Sequence, residues 1–251
     1  MRAKISKPAE VTAAAAPARD PRAGGEVVES FTAIGIEAFT TGRAAGSFGT
    51  QSEEPVREVM ARWSALRASL VGATRLATAA QVHGSTVLAH EGGWRGWLRC
   101  EAADGHLSPV PATAMAVTIA DCVPVFLAHP SGVGAVLHSG WRGTAARITE
   151  IAVARLSAMG LAPNDLLLHC GPAICGRCYE VSGEVAAQLT GRDPGHPTLV
   201  DLRAIIAEHA REQGVRRISI SPLCTRCDND RFYSHRAGDA GRQLGVLVTR
   251  S

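Results

Sequence analysis

Three residues carry the most chemical promise: Cys122, His138 and His83. Cys122 lies in Ala-Asp-Cys-Val-Pro, at a break between two apolar, β-rich runs, 115–119 and 123–128. A break between buried strands can aim a side chain into a pocket, and Pro124 limits ladder pairing there. His138 ends the apolar run 134–138, just before a Gly-Trp-Arg-Gly turn, and His83 sits in Gln-Val-His-Gly. If the runs 123–128 and 134–138 are neighbours joined at Pro130-Ser131-Gly132, Cys122 and His138 converge. Taken singly, each has a plainer reading: a small buried hydrophobe for the cysteine, a hydrogen-bonded core or turn residue for each histidine. Taken together, two imidazoles and a thiolate suit zinc. Three protein ligands leave a fourth position for water or substrate, as catalytic zinc does, and such zinc lowers the pKa of a bound water to about 7. A Cys122 nucleophile with His138 as its base uses the same residues without metal.

The elements that must position this set follow from the pattern. Residues 1–25 are rich in Ala, Pro, Arg and Lys, with Pro8, Pro17 and Pro21 interrupting any helix, and read as a disordered tail. Glu10 and Asp20 count against a transit peptide. Residues 27–39 read as strand and 40–49 as a Gly-rich turn. Residues 54–70 read as a helix with Val56, Met60, Trp63, Leu66 and Leu70 on one face. Short strands are expected at 81–84 and 86–89. The runs 115–119, 123–128 and 134–138 follow, then a helix to about 159 with Thr144 as its N-cap and Gly160 as its C-cap. A strand at 166–170, helices at 181–189 and 202–213, and segments 217–220 and 243–248 complete the chain. This mixture predicts one α/β (α+β) domain over 26–251. Seven cysteines with no export signal favour free thiols or metal ligands over disulfides. The expected compartment is therefore the cytoplasm.

Composition excludes more than it assigns. A net charge of +3 with dispersed arginines does not call for nucleic acid, and 4% aromatics make a base-stacking platform implausible. The longest apolar stretch, 114–128, is broken by Asp121 and Pro124, too short a run to cross a membrane. No phosphate-binding GxxxxGKS/T, HExxH or GxSxG is present, and Gly132-Val133-Gly134 lacks the third glycine of a dinucleotide loop.

Six stretches, in order, resemble the laccase-domain family, also called multicopper polyphenol oxidase-like or purine nucleoside phosphorylase. They are QVHGSTV (81–87), ADG (103–105), MAVTIADCVPVFLAHP (115–130), AVLHSGWRG (135–143), GPAICGRCYEV (171–181) and CTRCDNDRFYSHRAGDAGR (224–242). The resemblance implies a layered α/β/β/α sandwich with mixed sheets, and zinc on His83, Cys122 and His138. It implies phosphorolysis of adenosine, inosine, guanosine and methylthioadenosine, and deamination of adenosine, with purine nucleosides and phosphate as partners. A monomer or small homo-oligomer is expected.

Within that frame, phosphate needs cations and N–H donors. Arg142 and Gly143 stand at an expected helix start. Arg43 and Ser47 fall in the turn Thr41-Gly42-Arg43-Ala44-Ala45-Gly46-Ser47, which carries an extra glycine before Arg43 relative to the family's Thr-Arg-x-Gly-Gly-x-Ser. Arg236 is a further candidate. Asp121 could hydrogen-bond a ligating histidine, stabilise positive charge on the ribose, or cap a turn. Copper could occupy the His2Cys set in vitro, but the nine histidines are too scattered for the further copper sites of a phenol oxidase. Cys175-x-x-Cys178 and Cys224-x-x-Cys227, 45 residues apart, form the pattern of a second, structural zinc site.

Overall fold

The computed structural model describes residues 20–50 and 54–249. Its elements run β1 (Glu26–Val27), α1 (Glu29–Thr32), β2 (Glu37–Thr40), α2 (Val56–Ser69), β3 (Arg75–Ala79), β4 (Val87–Ala89), β5 (Gly96–Cys100) and β6 (Gly105–Ser108). Then come β7 (Thr113–Ile119), β8 (Val123–Ala128), β9 (Gly134–Ser139), α3 (Trp141–Ala145), α4 (Ile148–Ala158), β10 (Leu167–Cys170) and β11 (Glu180–Val181). The chain closes with α5 (Gly183–Thr190), β12 (Thr198–Leu199), α6 (Leu202–Glu212), β13 (Arg217–Ile220) and β14 (Gln243–Val248).

Two six-stranded mixed sheets, in orders β1-β2-β14-β7-β3-β5 and β13-β10-β8-β9-β6-β4, form the body. Three apolar layers explain why. Phe126, Val136, Met115, Ile119 and Leu247 fill the space between the sheets. Trp63, Leu66, Leu76 and Val246 pack the first sheet against α2. Leu137, Val125, Leu156 and Ile206 pack the second against α4 and α6. This is the expected α/β/β/α sandwich. Because both faces of β8, β9 and β14 are covered, all their residues are buried, and they read as unbroken apolar runs instead of alternating ones.

Several local expectations are corrected. Residues 1–19 of the expected tail lie outside the described residues. Residues 20–25 are not tail but a hydrogen-bonded turn, where Arg22 bonds Glu37 at 2.8 Å and its guanidinium lies 4.8 Å over Phe39. Residues 27–39 are not one strand: the α1 turn intervenes and buries Phe31. On α2 the buried stripe is Val59, Trp63, Leu66 and Leu70, while Val56 and Met60 are exposed. The helix is therefore rotated by part of a turn from the expected face. Residues 81–84 form a loop, because the strand before them ends at Ala79. The expected helix 144–159 is two, α3 and α4, divided at Arg147, which has φ +59°. Thr144 is thus inside α3 and not a cap. Among the described residues, no helix is long and apolar enough to cross a membrane.

Candidate metal centre and cavity

Three chain crossings build the site. After β7 the chain leaves the first sheet, passes Ala120-Asp121-Cys122 and enters β8 of the second. Asp121 makes that corner at φ +81°, a conformation that aspartate tolerates better than most residues. β8 and β9 are an antiparallel pair with Pro124 opposite His138, so Cys122 and His138 converge at one end of the hairpin. His83, at φ +59°, comes from the loop between β3 and β4.

The ligand atoms of His83, Cys122 and His138 all lie within 4.8 Å of one another. The two imidazoles meet edge to face at 4.8 Å between centroids. His83 is exposed and His138 buried. The set has room as well as donors: a Cβ at Gly140 would lie 2.8 Å from the Cys122 sulfur and 3.5 Å from the His83 ring. Donor chemistry and spacing therefore fit a small tetrahedral cation.

Asp104 is the residue that sequence reasoning missed, although its Ala-Asp-Gly motif was visible. It is fully buried, and its Oδ1 accepts from His138 Nδ1 at 2.8 Å. The same carboxylate accepts the backbone N–H groups of Val82 (3.2 Å), His83 (3.0 Å) and Gly84 (2.7 Å). One side chain thus fixes the His138 ring through Nδ1, leaving Nε2 available as a ligand nitrogen, and shapes the loop that carries His83. Burial works to raise the Asp104 pKa, but His138 and the Gly84 and Val82 amides hold it below the usual carboxylate value. Burial likewise opposes charge on Cys122, yet His138 and His83 bring its thiol down to about 6. His138 rises to about 9 against its own burial, because Cys122 and Asp104 favour the cation.

The other expected site residues divide. Asp121 does not reach a ligating histidine. Its Oδ1 accepts from Thr225 Oγ1 at 2.6 Å and its Oδ2 from the Arg236 N–H at 2.7 Å, so it ties down the β13–β14 loop at two points. Arg43 is occupied by Asp239 (2.6 Å) and the carbonyls of Asn229 and Phe232 (2.9 and 3.1 Å), and stacks on Tyr233. Ser47 is buried and accepts the N–H groups of Gly49 and Arg242. Arg142 is exposed over Trp141, and α3, at five residues, is too short to offer an anion site. Gly143 serves close approach, since a Cβ there would meet the Gly84 carbonyl at 3.0 Å. Arg236 donates to the Glu180 carbonyl at 3.1 Å. None of these arginines lines the cavity at the site.

That cavity, of about 450 Å³, is bounded by the three candidate ligand residues and by Gln81, Thr118, Phe48, Arg99, His235 and Arg242. Gln81 is locked to Thr118 by bonds of 2.7 to 2.8 Å to its backbone and hydroxyl. Arg242 spends one nitrogen on the carbonyls of Ala240 and Gly241. Arg99 is an exposed residue of the edge strand β5. Sequence gave no reason to single out Arg99 or Arg242, since nothing local separates them from the other arginines.

Comparison with known proteins is consistent with this arrangement. A Streptomyces coelicolor protein named purine nucleoside phosphorylase is 33% identical over 208 residues, covering 79% of this chain and 85% of its own. A Deinococcus radiodurans protein of the same name is 33% identical over 232 residues, covering 84% and 87%. The crystal structure of YlmD from Geobacillus stearothermophilus superposes with TM-score 0.80 at 27% identity, covering 86% of this chain and 93% of that one. That of a Bacillus licheniformis hypothetical protein, YfiH, also gives 0.80, at 22% identity over 92% and 97%, and shows the shared fold. The model of the family described as multi-copper polyphenol oxidoreductase laccase matches residues 39–250, and this chain belongs to that family.

Proposed function

We propose that this protein is a zinc-dependent purine nucleoside phosphorylase that also deaminates adenosine. The observation that carries the reading is one cavity, of the size that takes small ligands, with His83, Cys122 and His138 on one wall and Arg99, Arg242 and His235 on others. The names of relatives a third identical over most of the chain support the same substrates.

Zinc, when bound by His83, Cys122 and His138, supplies Lewis acidity at neutral pH. The chain's own residues supply the rest. Asp104 holds His138 in one orientation and shapes the loop behind His83. Arg99 and Arg242 bind phosphate, replacing the expected Arg43, Arg142 and Arg236. Gln81 and Thr118 present a rigid polar wall to the nucleoside, and Phe48 and Trp63 an apolar one. In phosphorolysis a phosphate oxygen bonds to ribose C1′ as the bond to the purine nitrogen breaks. The electron pair leaves with the base, which takes up a proton, and ribose 1-phosphate forms. In deamination, water replaces the 6-amino group, giving inosine and ammonia.

The test is chromatography of adenosine, inosine, guanosine and methylthioadenosine incubated with the zinc-loaded protein, with and without phosphate. Base release is expected only with phosphate, and inosine from adenosine without it. Base release that ignores phosphate overturns the phosphorylase reading, and adenosine left intact without phosphate overturns the deaminase reading.

A second reading is favoured by one observation, the Asp104–His138 bond beside Cys122, which is the geometry of an oriented base next to a thiol nucleophile. Full activity after chelation would select it. Phenol oxidation is disfavoured by the donors themselves: among the described residues, the other metal-competent group is four cysteines, with no histidine.

A further inference from the structure

Outside the cavity, four cysteines from two loops meet. Cys175 and Cys178 lie between β10 and β11, and Cys224 and Cys227 between β13 and β14. All four sulfurs fall within 4.8 Å of one another, with Cys178 and Cys227 at 3.5 Å. A tetrahedral zinc with bonds of about 2.3 Å needs sulfurs about 3.8 Å apart. The backbone is already arranged around sulfur: the N–H groups of Cys175 and Cys227 point at Cys224 Sγ, at 3.3 and 3.4 Å.

We propose that Cys175, Cys178, Cys224 and Cys227 bind one zinc ion as a closed, structural four-thiolate site that fastens together the two loops holding Asp121. Binding releases four thiol protons and leaves a complex of charge −2. Arg177 and Arg226, at the third position of each Cys-x-x-Cys, offset that charge, and Arg226 also donates to the Cys178 carbonyl at 3.3 Å. Four soft donors and no open position suit a structural ion, not a catalytic one. The loops differ from a lone knuckle in what they carry. Ala173 and Cys224 form a parallel bridge, and the Thr225 N–H donates to the Ala173 carbonyl at 3.2 Å. From that joint Thr225 Oγ1 reaches Asp121, and the Ile174 N–H donates to the Asp121 carbonyl at 3.1 Å. Asp121 is bonded to Cys122. The loops that carry the four cysteines are therefore joined directly to the corner that presents the Cys122 thiol to the cavity.

The site is independent of the phosphorylase reading, and its test keeps the two apart. Metal is counted by mass spectrometry in the purified full chain, in His83→Ala and in Cys227→Ser, with cobalt substitution of the first two. Two zinc ions per chain are expected in the parent and one in each variant. The cobalt form of His83→Ala is expected to keep an intense thiolate-to-cobalt band and the visible bands of a tetrahedral four-sulfur site. That spectrum decides the question even if Cys227→Ser fails to fold. One zinc in the parent, retained by His83→Ala and lost from Cys227→Ser, would still support this site while removing the catalytic one. A metal-free His83→Ala protein, iron in place of zinc, or a mass about 4 Da low from two disulfides under reducing purification would each overturn it.

Discussion

Two histidine pairs lie at neighbouring strands of the second sheet, β9 and β6, and the strand histidine of each is shifted in the opposite direction from the other. His138 is the penultimate residue of β9, and His106 sits in β6, where it is paired with Val136, two residues before His138. His138 meets His83 at 4.8 Å between centroids, and His106 meets His90 at 5.0 Å with a 2.8 Å bond between ring nitrogens. His138 is pushed up to about 9 by Cys122 and Asp104. His106 is pushed down to about 3, chiefly by burial and then by His90, with Asp104 pulling weakly the other way. The residue type and depth are the same. The difference is a thiol and a carboxylate in bonding range, which turn a structural histidine into one fit for chemistry.

The largest effect should come from removing the sulfur of the functional pair. Cys122→Ala is expected to lose the metal at that site and reduce phosphorolysis about 10³-fold or more, since a bound metal supplies several kcal/mol of transition-state stabilisation. Metal content and steady-state rates check it. Wild-type rates in this variant would erase the distinction between the pairs.

Next in size is the carboxylate. Asp104→Asn keeps the shape but loses the charge that orients His138 and receives three backbone N–H groups. A loss of about 10- to 100-fold in zinc affinity is expected, as for other groups that orient metal ligands. Competition with a chelator measures it in Cys227→Ser/Asp104→Asn against Cys227→Ser, so that only one site is read. Asp121 provides the contrast with Asp104. Thr225→Val strips one of its partners, and leaving a buried carboxylate oxygen unpaired should cost about 1.5–3 kcal/mol in denaturant unfolding. A smaller effect on metal affinity than that of Asp104→Asn is expected.

How far these differences could be read beforehand depends on whether they are local. β14 was expected at its observed bounds, because an apolar run covered on both faces is unambiguous. β8, β9 and α6 were legible for the same reason or through their caps. β6 was not: Gly105-His106-Leu107-Ser108 is entirely buried yet half polar, with His106 Nδ1 and Ser108 Oγ both paired to His90 from outside the strand. The break at Arg147 carries no glycine or proline. It is held by Glu150 nearby and by Glu212, which folding brings in from α6. At the site, His83, Cys122 and His138 were identifiable from motif and residue type. Arg43 was not separable from Arg99, because Asp239, which occupies Arg43, lies 196 residues away. Asp104 and Asp121 stand in the similar motifs Ala-Asp-Gly and Ala-Asp-Cys, and only the fold decides which of them faces a histidine.

The smallest effect concerns the silent pair, and its sign is fixed by linkage. His106 binds its proton far less readily when folded than the unfolded reference near 6.5. Between about pH 3 and 6.5 the unfolded chain therefore holds one more proton at this position. The contribution of His106 is complete above that window and is lost as pH falls through it, by about 1.4 kcal/mol per pH unit. His106→Gln keeps a polar partner for His90 but cannot titrate. Subtracting the unfolding free energies of the two proteins cancels the carboxylates and His138. The difference should be nearly flat from pH 7.5 to 7 and turn against the parent by about 1 kcal/mol between pH 6.5 and 5.5. A difference that stays flat to pH 5 would mean that His106 takes up its proton in the folded state, and the contrast between the two pairs would then rest on metal binding alone.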